Sequence, residues 1–217
     1  MPVPQALEDL PYAKYLEEFE GALTRDAAYV EQLFADRELE DTDAGNCRVT
    51  ESAICRVNFT NGRLLRARFH DVWINRTQWV GTSLAEVDWL DVVVLGSSFA
   101  GVEAHGSSLR RVTFQECRID TLNLRGAKIQ DVVFDRCELS DVDLDEAIVS
   151  NLTFPESRVR RLRIGKATLK KVDFRGAAEL DVASGYDSMR GAVIDSGQLV
   201  ELAPGLAHSL GIVVKDH

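Results

Sequence analysis

A chain of 217 residues with 45% hydrophobic content is long enough for one large domain or two small ones, and too apolar to be disordered. Its apolar runs fall far short of a membrane span, and Met1 to Gln5 has neither the basic start nor the apolar stretch of a secretory signal, so a cytoplasmic setting without a membrane partner is expected. The net charge of −10 is unevenly placed: residues 1–45 carry 12 acids and 3 bases, residues 46–177 carry 17 acids and 20 bases, and residues 178–217 carry 6 acids and 2 bases.

Residues 1–45 are expected to form a helical or irregular N-terminal segment. Leu7, Leu10, Ala13, Leu16, Phe19 and Leu23 recur at spacings of three and four, and Pro11 suits a first helical position, so the pattern predicts an amphipathic helix from about 11 to 23. A second helix is expected through Ala27, Val30, Leu33 and Phe34.

From 46 to 177 the chain obeys a period of five. The central residue of each unit, position i, runs from Val49 to Phe174 through 26 consecutive apolar residues. The residue at i−2, from Cys47 to Val172, is always Cys, Ser, Val, Gly, Ala, Thr or Leu. A period of five fits neither a helix nor a flat strand, so each unit is a short extended piece followed by a corner, with i and i−2 facing inward. Units of this kind wind a solenoid. Like residues recur every twenty: Val72, Val92, Val112, Val132, Leu152 and Val172 form one column, Phe114, Phe134, Phe154 and Phe174 another, so four units make one coil. The phase reaches back to Leu39 and Phe34, but Arg37 and Gln32 would then occupy inward sites, so the regular body is expected to begin between 38 and 47.

The pattern small-x-Leu/Phe-x-x, clearest in Ala127-Lys128-Ile129, Val142-Asp143-Leu144 and Val172-Asp173-Phe174-Arg175-Gly176, resembles that of the pentapeptide-repeat proteins. The resemblance implies an all-β solenoid, a right-handed quadrilateral parallel β-helix, here of about 6–7 coils with short helical N- and C-terminal segments. Some members of that family mimic DNA and occupy the DNA-binding saddle of a type II topoisomerase such as gyrase, and some dimerise through their C-terminal ends.

Residues 178–217 lose the regular phase where Glu179 falls on an i position. Asp195-Ser196-Gly197-Gln198 carries the capping residue and Gln partner of a helix start, Pro204 is placed to begin a second short helix, and Gly211 to stop it. Leu199, Leu202, Leu206 and Leu210 form an apolar stripe that either caps the open end of the solenoid or, as the resemblance implies, makes a homodimer contact.

Chemistry is sparse. Cys47, Cys55, Cys117 and Cys137 lack zinc-site spacing and read as buried thiols; His70, His105, His208 and His217 share no spacing and read as surface residues. Gly81, Gly96, Gly101 and Gly106 read as corner residues rather than a phosphate loop. No catalytic residue, metal or cofactor is expected.

Function is therefore expected on the outer faces. One outward column reads Glu51, Asp71, Asp91, Arg111, Asp131, Asn151, Lys171, and the column beside it includes Trp73 and Val93, with Leu95 at a nearby corner. Asp71, Trp73, Asp91, Val93, Leu95 and Asp131 form the candidate binding face, its apolar part covered either by the N-terminal helices or by a partner. The first functional expectation is a non-catalytic protein-interaction scaffold. The alternative, implied by the resemblance, is a DNA-mimicking gyrase binder giving inhibitor resistance, which the slightly basic residues 46–177 disfavour. Direct nucleic-acid binding by the basic late coils is disfavoured by the lack of interleaved aromatic residues.

Overall fold

The computed structural model describes residues 3–215; His217 lies outside them. The chain winds into a parallel β-solenoid of about eight turns closed by a single C-terminal helix, Ser196–Ser209. From Ala28 onward, nearly every strand pairs in parallel with the strand twenty residues later, as in Leu109 with Ile129 and Val132 with Leu152. At the spacing of hydrogen-bonded strands, the rod is roughly 38 Å long.

Every inward i residue from Val49 to Phe174 is buried. The columns stack like on like: Phe114, Phe134, Phe154 and Phe174 form a ladder with centroids 4.7, 5.6 and 5.2 Å apart and rings within 11° of parallel. The small polar residues at i−2 satisfy corner backbone. Ser157 Oγ accepts from Cys137 N at 2.8 Å and donates to Phe134 O at 2.8 Å, and Ser97 repeats the pattern with Thr77 N. The four cysteines are buried free thiols, and burial pushes Cys47 and Cys55 up to about 11.

The corners impose a further rule. The residue at i+2 is left-handed in nearly every unit, with φ +54° at Asp71 and Asp91 and +52° at Arg111. Glycine occupies it at 81, 96, 101, 106 and 126, where φ lies between +53° and +68°; the other left-handed residues of the column from 26 to 171 are Asp, Glu, Asn, Arg or Lys. Two residues of that column between 26 and 171, Thr121 and Asp141, are absent from the left-handed set; Thr121 is its one β-branched residue, for which that conformation is costly.

The N-terminal helices predicted over 11–23 and 27–34 do not form. Two single 3-10 turns, Leu7–Asp9 and Ala13–Tyr15, are followed by strands Glu17–Glu18, Ala28–Val30 and Gln32–Glu40. The solenoid therefore starts near residue 17, not between 38 and 47, and has about eight turns instead of 6–7. Its first coil is short: Glu17 pairs with Gln32, fifteen residues on. Arg37 is tolerated at an inward position because it is only half-buried at the end of the rod and finds partners there. Its Nη1 donates to Phe19 O at 2.7 Å, and its guanidinium lies 5.4 Å from the centre of the Phe19 ring. Phe19, Tyr29 and Phe34 pack together and close that end.

At the other end, Val159 pairs with Leu180, a step of twenty-one, so Leu180 rather than Glu179 is buried. Asp195 caps the helix: Gln198 N donates to Asp195 Oδ1 at 2.9 Å and Asp195 N donates to Gln198 Oε1 at 3.1 Å. Pro204 starts no second helix but lies inside this one. Its missing N–H would have met the carbonyl of Val200, a residue 74% exposed, so the lost bond falls on the outer side of the helix. Among the described residues, no helix is long and apolar enough to cross a membrane.

Candidate interaction groove

Ala53, Trp73, Val93 and Thr113 lie side by side on one flat face, coil above coil. An apolar stripe on such a face is left wet unless something lies on it. Here the N-terminal arm does so. Leu10 and Tyr12 pack with Ala53, Cys55, Trp73 and Leu95 into a buried cluster, with Val3, Leu7, Ala13, Leu16, Leu33 and Val93 around it. Three polar contacts fix the arm: Trp73 Nε1 donates to Pro4 O (3.2 Å), Tyr12 Oη to Ser52 O (3.3 Å), and Gln5 Nε2 to Gln115 Oε1 (3.1 Å).

The arm does not seal the face. A recess of about 480 Å³ remains between it and the acidic ridge. Leu10, Pro11 and Tyr12 form one wall, Trp73 and Val93 the floor, and Asp71 and Asp91 the opposite rim.

The ridge follows from the left-handed corners, which bring one residue per coil into an outward stack. At several other corners opposite charges meet across one coil: Arg56 meets Asp36, Arg66 meets Glu86 and Arg136 meets Glu116. Arg111 binds Asp91 with two contacts of 2.6 Å, and Asn151 donates to Asp131 Oδ1 at 2.7 Å. The Arg111 bond holds Asp91 below the usual carboxylate range, and the bond from Asn151 does the same for Asp131. Asp71 lies between Glu51 and Asp91, and among the described residues neither Asp71 nor Glu51 has an ion-pair partner. Burial, Asp91 and Glu51 push the Asp71 carboxyl above its ordinary value, and burial with Asp71 and Glu51 likewise raises the Tyr12 phenol.

Of the residues expected on this face, Asp71, Trp73, Asp91 and Val93 line the recess. Leu95 is buried beneath the arm, and Asp131 stands two coils further along the ridge. The wall residues Leu10, Pro11 and Tyr12 were not expected. Pro4 and Pro11 were the available signal, since both favour an extended arm over a continuous helix.

The C-terminal leucines divide. Leu202 is buried against the solenoid and Leu206 packs beside it, whereas Leu199 and Leu210 are exposed with Val200, Ile212, Val213 and Val214. In the basic late coils Arg160 pairs with Glu179, and Arg163 with Asp141 and Asp143. His70 pairs with Asp88 at 3.1 Å. Among the described residues no three His, Cys, Asp or Glu side chains gather as metal ligands.

No protein-family model and no curated protein matches the chain. Among solved structures it is similar to a trypsin-treated variant of QnrB1, a plasmid-mediated fluoroquinolone resistance protein, at 17% identity over 88% of this chain and 100% of that one, with a TM-score of 0.49. It is also similar to HetL, a pentapeptide repeat protein involved in heterocyst differentiation regulation from the cyanobacterium Nostoc sp. strain PCC 7120. That match has 15% identity, covers 82% and 93% of the two chains, and has a TM-score of 0.47. A third, the pentapeptide repeat protein Rfr23 from the cyanobacterium Cyanothece 51142, matches at 15% identity over 61% and 90%, with a TM-score of 0.28.

Proposed function

We propose that this pentapeptide-repeat β-solenoid is a non-catalytic protein-interaction scaffold that engages a partner along the face bearing Asp71, Trp73, Asp91, Val93, Leu95 and Asp131. The recess between arm and ridge carries the reading. It is the place where an apolar floor stays open beside carboxylates, on a rod whose interior is otherwise filled with side chains. The test is affinity capture from a cell lysate with the wild-type chain and with Val93→Asp combined with Asp71→Lys. A protein retained by the wild type and lost by the variant, with circular dichroism unchanged, is the expected result. Equal retention by both, or no retained protein, counts against the scaffold.

A second reading, a DNA mimic bound to a type II topoisomerase, gains one supporting observation. The coils that start at residue 17 bring ten acids and two bases, over 17–45, onto the rod. A supercoiling assay with purified gyrase that shows neither inhibition nor protection from an inhibitor removes it. We also propose self-association through Leu199 and Leu210, supported by the exposed apolar tail beside them. Light scattering giving a dimer for wild type and a monomer for Leu199→Glu with Leu210→Glu is the expected outcome.

A further inference from the structure

The recess has an apolar floor and three lining carboxylates, Asp9, Asp71 and Asp91, of which only Asp91 has an ion-pair partner among the described residues, and together these define what fits it. Pro11 and Val93 line it above the buried Leu10, Tyr12 and Trp73, so an aliphatic stem is accommodated along one side. Asp71 stands at the rim, and the basic side chains around it are engaged elsewhere: Arg111 holds Asp91 at 2.6 Å, and His70 Nε2 lies 3.1 Å from Asp88. Glu51, one coil earlier on the same ridge, adds a further negative charge without an ion-pair partner among the described residues. A neutral apolar ligand would leave these carboxylates unanswered, and an anion would be repelled by them.

We infer that the recess seats an arginine side chain presented by an extended segment of a partner protein, its stem on Val93 and Pro11, its guanidinium against Asp71. Arginine suits the place better than lysine, because a planar guanidinium engages a carboxylate through two parallel bonds. The inference rests on the scaffold reading and names the chemistry of its partner. The raised carboxyl of Asp71 agrees with it, since a partly desolvated charge among like charges is relieved by an incoming cation.

The test uses the full chain, ¹⁵N-labelled, and three blocked pentapeptides identical except at the centre: Ala-Leu-X-Leu-Ala with X as arginine, citrulline or glutamate. Citrulline keeps the shape of arginine and removes its charge. The indole N–H resonance of Trp73, assigned with Trp73→Phe, is followed. The arginine peptide is expected to shift it saturably and to bind about fivefold more tightly than the citrulline peptide, as a partly exposed ion pair provides. The glutamate peptide should leave it unmoved, and in Asp71→Asn the arginine and citrulline affinities should fall within about twofold of each other. Equal affinity for both peptides in the wild type, an arginine preference that survives Asp71→Asn, or no movement of the Trp73 resonance overturns the inference. If the peptide fails while the captured cellular partner still depends on Val93 and Asp71, the scaffold stands and its arginine occupant does not. Peptide binding as expected without any captured partner leaves the converse.

Discussion

Trp79 and Trp89 occupy the same kind of inward position and differ in one atom's surroundings. Trp79 stacks 4.0 Å from Phe59, and its Nε1 donates to Thr77 Oγ1 at 2.8 Å; the Nε1 of Trp89 is buried without a partner. Both Trp→Phe substitutions leave a void, but only at 89 does the change also remove an unsatisfied donor. Trp89→Phe is therefore expected to cost about 1–2 kcal/mol less than Trp79→Phe, measured by denaturant unfolding. Asp71 and Asp91 form a second contrast. The raised carboxyl of Asp71 means that its ionised form opposes folding, whereas the lowered carboxyl of Asp91 means that its ionised form supports it. At pH 7, Asp71→Asn should raise the melting temperature and Asp91→Asn should lower it. As pH falls through the raised value of Asp71 toward the ordinary value of about 3.9, the Asp71→Asn gain should fade, because the wild-type group is then neutral in both states. The Asp91→Asn loss should persist further down, until the depressed value of Asp91 is passed. Opposite signs for two acids one coil apart separate the ridge from a merely solvated charge row.

At the scale of elements, the C-terminal helix is joined to the rod by Gln198. Besides its capping bonds, its Nε2 donates to Phe174 O at 2.7 Å, the last carbonyl under the phenylalanine ladder. Gln198→Ala should cost about 1–3 kcal/mol and expose the last coil to limited proteolysis before the rest of the rod. This helix start was readable from Asp195 and Gln198, since a capping box is local. The N-terminal coils were not readable in the same way. Leu7, Leu10, Ala13 and Leu16 do face the rod, and Phe19 and Leu23 do pack in its core, but the spacing of three and four came from an arm and a short coil. Burial on one side leaves the same apolar trace whether a helix or a bent arm produces it. The inward positions were legible because every coil repeats the demand. The ridge was visible as a row of charges, but its cause, a left-handed corner repeated in each coil, lies in backbone angles. The recess needed the arm and the ridge together, and no periodicity links residues 10–12 to residues 71–93.

Across the whole molecule, each coil is supported only by its neighbours, so protection against opening depends on position along the rod. The central coils, with neighbours on both sides and the ring ladder inside, should exchange their amides slowest. The first coils have a fifteen-residue turn above them and many like charges around them, so amides of Gln32–Glu40 should exchange faster than those of Lys128–Asp135. Hydrogen exchange with mass spectrometry measures this, and equal protection in the two segments would contradict it.

The stacking of like residues at twenty makes the molecule a ruler with two kinds of graduation. Duplicating Leu109–Lys128 would lengthen the rod by one rung and leave each later face pointing where it did. Duplicating five residues would turn everything beyond the insertion by one side of the square, swinging Lys171 out of line with Asp71 while the core stayed filled. Gene-level changes in this protein thus separate reach from heading: multiples of twenty set how far a surface extends, and the remainder sets where it looks.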